Sequence, residues 1–261
     1  VSTRQTDEDG REVWGQWALS IAGTSHVGRV RLSNQDAFDR FDDPVRDEIL
    51  LVVADGMGGH RGGEVASKMA VGTLGSLCRE GEGDAPSRLR AAIERANSEI
   101  FERASASRRL AGMGTTVVAL LLSAEGPAFV AHVGDSRLYR LHGESLGALT
   151  EDHSLAAQLL HNGEITAEEA RSHPKRSILT RAVGVAKRVE VEVAPVEIQA
   201  GDTFLLCSDG IYEMLPDEDI RAVVEGAPDA HTAVAWLVDA ANQRGGKDNS
   251  TALVAQISCA G

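Results

Sequence analysis

Four aspartates stand where carboxylates can do chemistry. Asp36 closes the hexapeptide RLSNQD. Asp55 ends the apolar run Ile49–Ala54 and enters DGMGGH. Asp209 follows FLLCS and precedes Gly210. Asp248 sits in GGKDNS, just ahead of a last strand-like run. Strand ends let side chains converge at the rim of a sheet. Carboxylates gathered there repel one another unless cations neutralise them. An all-oxygen donor set suits hard divalent ions such as Mg²⁺ or Mn²⁺, and two such ions sharing a water make a hydrolytic centre. Spacing alone leaves other readings open. An aspartate before glycine is also a common turn residue. The same four would serve a two-metal nuclease or a calcium-stiffened scaffold, although the loops lack the spacing D-x-[DN]-x-[DN]-G of a calcium loop.

Composition narrows the choice. The 261 residues carry 39 acidic and 26 basic side chains, a formal charge of -13. That balance argues against a broad face for nucleic acid or anionic membrane. Apolar runs such as Ile49–Ala54 and Val117–Leu122 are far too short to cross a bilayer. The opening VSTRQTDEDGRE has no apolar stretch of the signal-peptide kind. The three cysteines, Cys78, Cys207 and Cys259, form no CxxC pair and no disulfide framework. The expectation is a cytoplasmic protein with no membrane insertion, and a metal site, if present, built from oxygen.

The positioning elements follow from periodicity. Residues 1–14 read as a flexible leader. Strands are expected at Trp17–Gly23 and Ile49–Ala54, the second running into the tight glycine cluster Gly56, Gly58, Gly59, Gly62 and Gly63. Val65, Met69, Leu74 and Leu77 mark one helix face, and Leu89, Ala92, Ile93, Ala96 and Ile100 another. Strands resume at Thr115–Leu122, Ala128–Val133 and Arg137–Leu141, with connections short enough for antiparallel neighbours. An irregular insert over 150–185 holds two short helices. The second has Thr166 and Glu169 in capping-box register. Strands at Val189–Val193 and Thr203–Cys207, helices at Asp217–Glu225 and His231–Asn242, and a strand at Ser250–Ile257 complete the chain. This order favours an α+β layered domain over a regular βαβ fold.

Taken together, the motifs resemble the PP2C-type (PPM family) metal-dependent protein serine/threonine phosphatases of the compact bacterial kind. The ordered blocks are Arg31–Asp36, Val53–His60 with Gly63–Ser67, Gly114–Thr116, Val133–Arg137, Leu179–Gly184, Leu206–Gly210 and Asp248–Thr251. The resemblance runs from about Trp17 to Ile257. It implies a four-layer α-β-β-α sandwich with two mainly antiparallel central sheets. It makes 15–258 a single domain, with 150–185 as the flap beside the active site.

The resemblance also implies roles. Asp55 would bridge two Mn²⁺ or Mg²⁺ ions, with the Gly56 carbonyl completing one coordination sphere. Asp209 and Asp248 would ligate the other ion. Asp36 would act around the cluster, largely through bound water. Asp135, with Asp209, would hold a third ion. Arg31 would bind the substrate phosphate, and His60 would protonate the leaving alkoxide. Glu64 and Asn249 are expected to support the metal ligands, with helix-start and turn roles as the alternative. His153 is given no catalytic task. His161, His173, Lys175 and Arg176 of the flap are candidates for touching substrate, or plain loop surface.

The implied activity is hydrolysis of phosphoserine and phosphothreonine on proteins by a metal-activated water, with no covalent phosphoenzyme. The expected substrates are proteins phosphorylated by a eukaryotic-like serine/threonine kinase, with no nucleic-acid partner, and the expected state is a monomer. A regulatory or scaffolding module with the same fold and little turnover is the competing class, and a two-metal nuclease the third. Ser250 departs from the family, standing where a larger apolar residue is usual, and is expected to alter local strand packing.

Overall fold

Two apolar strands with side chains buried on both faces set the layering. The protein, seen in a computed structural model, is described at residues 6, 7, 10–59 and 61–260, without the side chains of Leu77 and Cys78. Along the chain run β1 (Glu12–Trp14), β2 (Trp17–His26), β3 (Asp36–Asp43), β4 (Glu48–Met57), α1 (Gly62–Glu80), α2 (Ala85–Ala106), β5 (Gly114–Thr115), β6 (Val117–Ser123), β7 (Ala128–Val133), β8 (Arg137–His142) and β9 (Ser145–Ala148). Then come α3 (Leu155–His161), α4 (Ala167–Ser172), β10 (Glu192–Val196), β11 (Thr203–Cys207), α5 (Asp209–Tyr212), α6 (Asp217–Gly226), α7 (Ala230–Gln243) and β12 (Ser250–Cys259).

The strands form two sheets, ordered β1-β2-β12-β11-β8-β9 and β10-β7-β6-β4-β3, with β5 attached to β4. Every pairing between them is antiparallel. Alternation along β4 and β6 assigns their faces. Ile49, Leu51, Val53, Val118, Leu120 and Leu122 pack between the sheets against Leu19, Leu138, Phe204, Leu206, Leu253 and Ile257. Leu50, Val52, Ala54, Val117, Ala119 and Leu121 face outward and are covered by Ala70, Leu74, Leu89, Ile93, Ala96 and Ile100 of α1 and α2. On the far side, Leu205, Cys207, Ala252 and Val254 are covered by Ile220 and Val224 of α6 and by Val234, Leu237 and Ala241 of α7. The result is the expected four-layer α-β-β-α order.

Local signals set the helix ends. Asp84 caps α2, accepting from Ser87 N, and the Thr166–Glu169 capping box starts α4 as read. The differences from the sequence reading are local. Glu12–Trp14, inside the stretch read as a leader, form β1, because the Trp14 ring is 2% exposed in the inter-sheet core. The strand expected at Val189–Val193 lies three residues later, at β10. The single strand expected over Thr115–Leu122 breaks at Thr116 into β5 and β6. β3 has no counterpart among the strands expected from periodicity. Its sequence, DAFDRFDD, is half aspartate and carries little strand propensity, so its pairing with β4 is what makes it a strand.

Antiparallel register brings the functional loops to one end. Asp36 at the start of β3 pairs with Asp55 near the end of β4. Val133 at the end of β7 pairs with Val117 at the start of β6. Cys207 at the end of β11 faces Arg137 at the start of β8 and Ala252 near the start of β12. Ser250 faces His26 at the end of β2. The segments holding Arg31, Asp36, Asp55, Asp135, Asp209 and Asp248 therefore open on the same rim.

The inter-sheet layer is expected to dominate stability. Leu120→Ala should cost about 2–5 kcal/mol, whereas Val45→Ala, at a side chain 90% exposed, should stay within about 0.5 kcal/mol. Urea unfolding midpoints for the two variants check this.

Candidate active site

The rim opens into a cavity of about 720 Å³. Asp55, Gly56, Asp135, Asp209, Asp248 and Arg31 line it, with Thr116 and Asn249 among the other walls. Asp36 lies behind this surface, 6% exposed. Its Oδ2 accepts from Ser208 Oγ at 2.7 Å and Thr251 Oγ1 at 2.6 Å. Its Oδ1 and the Oδ1 of Asp209 are buried without a protein partner. Buried acceptors of this kind are costly unless something else satisfies them.

The carboxylates are hard to ionise together. Burial, then the charges of Asp36, Asp209, Asp135 and Asp248, holds Asp55 well above the usual carboxylate range. Burial, then Asp135 and Asp248, does the same to Asp209. Burial pushes Asp36 up to about 6, although the Thr251 and Ser208 hydroxyls oppose it. Burial, with Asp152 next, pushes Asp135 up to about 7. Orphaned oxygens, mutual repulsion and an all-oxygen set fit hard divalent cations. Among the described residues, no three of these aspartates bring oxygens within 4.8 Å of one another. The donors are spread around a space rather than clenched on one point.

Backbone fixation is extensive. Asp55 N donates to Thr116 Oγ1 at 2.9 Å, and Asp55 O accepts from Thr116 N and Thr115 Oγ1, each at 2.8 Å. Gly56 is required for close approach: a Cβ there would lie 2.2 Å from Gly63 O and 2.5 Å from Gln35 O, both main chain. Gly134, before Asp135, has φ +106° and leaves no room for a side chain against Thr116. Asn249 Oδ1 accepts from Gln35 N at 2.8 Å, while its Nδ2 donates to Val27 O at 2.9 Å and Ser33 O at 3.0 Å. This clasp fixes the loop that carries Arg31. The Arg31 guanidinium reaches Asp248 Oδ2 at 2.6 Å.

Most of the sequence-derived set is thus brought together. Glu64 does not line the cavity, and its carboxylate pairs with Lys68 one helical turn on, at 2.7 Å, in keeping with the helix-start alternative. His60 lies outside the described residues. Ser250, flagged as a departure, is fully buried and donates to Gly210 O at 3.2 Å. Cys207 is buried, and burial pushes its thiol up to about 12, so it is no nucleophile.

The reading by residue type gave no site role to Ser208, Thr251 or Thr116, although all three stand in the quoted motif blocks. Arg181, in another quoted block, also lines the cavity. A second group, His132, His153 and Glu192, brings one potential ligand atom each within 4.8 Å.

The chain matches known proteins along most of its length. The protein phosphatase 2C family profile matches residues 22–255. A serine/threonine phosphatase, stp, of Listeria monocytogenes is 41% identical over 234 residues, 88% of this chain and 92% of that protein. The crystal structure of the Mycobacterium tuberculosis serine/threonine phosphatase PstP/Ppp superposes with a TM-score of 0.83 at 37% identity, covering 92% of this chain and 99% of that one. A catalytic domain of the serine/threonine protein phosphatase PstP, in complex with two manganese ions, superposes at 0.79 with 33% identity, covering 93% and 99%.

The raised carboxylate values set a pH dependence for the metal-free protein. An unfolded aspartate titrates near 3.9. Between there and about 6 to 7, the folded protein holds extra protons on Asp36 and Asp135. Their contribution is full below the unfolded value and is lost as pH rises through the folded values. Metal-free melting temperature should therefore fall across that window. Asp209→Asn should raise it at pH 7.5 by at least about 2 °C. Differential scanning calorimetry in chelator reads both.

Proposed function

Because this chain belongs to the protein phosphatase 2C family and is a metal-dependent serine/threonine protein phosphatase, we propose that the rim cavity is its active site, with the roles that follow. The carrying observation is the set of buried carboxylates that oppose the ionisation of Asp55 and Asp209, with two oxygens, Asp36 Oδ1 and Asp209 Oδ1, left without protein partners.

Asp55, the Gly56 carbonyl, Asp209 and Asp248 would hold two divalent ions, Mn²⁺ or Mg²⁺, and Asp135 with Asp209 a third. When bound, such ions supply a water of lowered pKa and neutralise the charge of the phosphoryl group. Asp36 stays behind them. With Oδ2 fixed by two hydroxyls, it keeps Oδ1 as an acceptor that orients water. Arg31 holds the phosphate, since a guanidinium has further N–H donors beyond the one given to Asp248 and grips two phosphate oxygens in parallel. His60 passes a proton to the departing serine or threonine oxygen, which is a poor leaving group as an alkoxide.

Three coarser features complete the reading. Residues 15–258 act as one catalytic unit, a reading supported by the reach of the family match over 22–255, with 150–185 as its flap. The substrates are phosphoproteins, of the class produced by a eukaryotic-like serine/threonine kinase. The enzyme works as a cytoplasmic monomer. Among the described residues, no helix is long and apolar enough to cross a membrane.

Asp209→Asn should lower Mn²⁺-dependent kcat/KM on a phosphothreonine peptide by more than about a hundredfold; full activity would refute the assignment. His60→Gln should cost about a hundredfold or more on that peptide. It should cost far less on p-nitrophenyl phosphate, whose leaving group departs unaided. Equal losses on both would make His60 a positional residue.

A further inference from the structure

The side chains of Arg181, Glu192 and His153 form a connected group at the base of the flap. Arg181 lines the cavity and lies near the end of the flap. Its Nη1 donates to Glu192 Oε1 at 2.7 Å, and its Nη2 lies 3.5 Å from Glu190 Oε2. Glu192 Oε1 also lies 2.9 Å from His153 Nε2. His153, 6% exposed, is tied on two further sides. Gly134 N donates to its Nδ1 at 3.1 Å, and its own N donates to Gly134 O at 2.9 Å. Its carbonyl accepts from Thr180 N at 2.8 Å. One buried residue therefore grips both the neighbour of Asp135 and the neighbour of Arg181. The ring of His132 stacks on it at 4.6 Å, and His132 Nε2 donates to Glu151 O at 2.9 Å.

Two histidines and a glutamate at this separation also suggest a transition-metal site. The hydrogen bonds oppose it. A ligating imidazole offers a lone pair from one nitrogen and donates from the other. His153 Nδ1 accepts from the Gly134 N–H, so its proton sits on Nε2 and goes to Glu192 Oε1 at 2.9 Å, the closer of that nitrogen's two neighbours, with Arg181 Nη1 at 3.2 Å. His132 Nε2 faces a carbonyl and is likewise a donor. Neither Nε2 has a lone pair to give. The Arg181 guanidinium already supplies the positive charge beside Glu192. Burial lowers the affinity of both rings for a second proton, which keeps them neutral donors.

We propose that His153 and Glu192 are positioning residues of the phosphatase. Glu192 aims Arg181 across the mouth of the cavity, where it binds the peptide around the phosphorylated residue. His153 locks Glu192, the flap base and the Asp135 turn into one unit. This rests on the cavity being the active site.

Glu192→Ala should raise KM for a phosphothreonine peptide about tenfold, with kcat changed less than about twofold. Glu192→Gln, which keeps an acceptor oxygen, should recover part of that loss. On p-nitrophenyl phosphate, which has no peptide, KM should stay level. Arg181→Ala should show the same pattern, and the double variant should be no worse than Arg181→Ala alone. That non-additivity is the mark of one residue acting through the other. His153→Ala should add weaker Mn²⁺ binding in calorimetric titration without substrate.

Unchanged peptide KM in Glu192→Ala, or additive losses in the double variant, would overturn the proposal. So would a stoichiometric Zn²⁺ site that survives Asp209→Asn but is lost in Glu192→Ala. The two readings fail separately. An active Asp209→Asn refutes the cavity, whereas an inactive Asp209→Asn beside a wild-type Glu192→Ala refutes only the positioning role.

Discussion

Mutual repulsion among carboxylates is the constraint around which this fold is organised. Beyond burial, the charges of Asp36, Asp135 and Asp248 oppose the ionisation of both Asp55 and Asp209, yet two oxygens of this group have no protein partner. The cations near them are peripheral: Arg31 at the edge pairs with Asp248, and Arg137 favours the charge on Asp135 less than burial and Asp152 oppose it. A protein that only needed to be stable would replace such a cluster with apolar side chains, because uncompensated buried charge is expensive. The arrangement makes sense when the missing charge comes from divalent cations.

Holding this repulsive set open takes rigidity elsewhere. The inter-sheet core gives the two strand ladders one fixed relation, so that residues far apart in sequence share a rim. Around the rim, the aspartates are held through their backbones and neighbours. Thr115 and Thr116 fix Asp55, Ser208 and Thr251 fix one oxygen of Asp36, and Tyr212 donates to Asp135 O at 3.0 Å. Tyr212 is itself covered by the Arg137 guanidinium at 3.6 Å, and Arg137 is held by Asp152 through two bonds of 2.8 and 2.7 Å. The acidic stretch Glu151, Asp152, His153 thus docks residue by residue onto β7, β8 and the turn between them. The segment that follows begins from a fixed base.

What was legible in the sequence follows the same physics. β4 and β6 are continuous apolar runs, and such runs declare themselves. The aspartates that end or follow apolar strands, Asp55 and Asp209, stood out because polar residues at buried strand ends need a reason. β3 was hidden, since its aspartates mask a strand whose pairing comes from β4. For Glu64 the sequence leaves a supporting role and a helix-start role both open, because periodicity cannot tell which neighbour a helix-start carboxylate will choose; in the fold Lys68 is one turn away. The hydroxyls of Ser208, Thr251 and Thr116 carry no signal by type. Only the tertiary register shows that they face carboxylates and the Asp55 backbone. The His153–Glu192 contact joins residues 39 apart in the chain and is invisible to any local pattern.

The relatives with the same architecture, one of them in complex with two manganese ions, share the sandwich that creates this rim. The account turns on where cations settle in this chain. Anomalous scattering from crystals soaked in Mn²⁺ measures that directly. The expected result is manganese in the cavity, within coordination distance of Asp55, Asp209 and Asp248. Manganese found only elsewhere, with those three carboxylates sharing no ion, would contradict it.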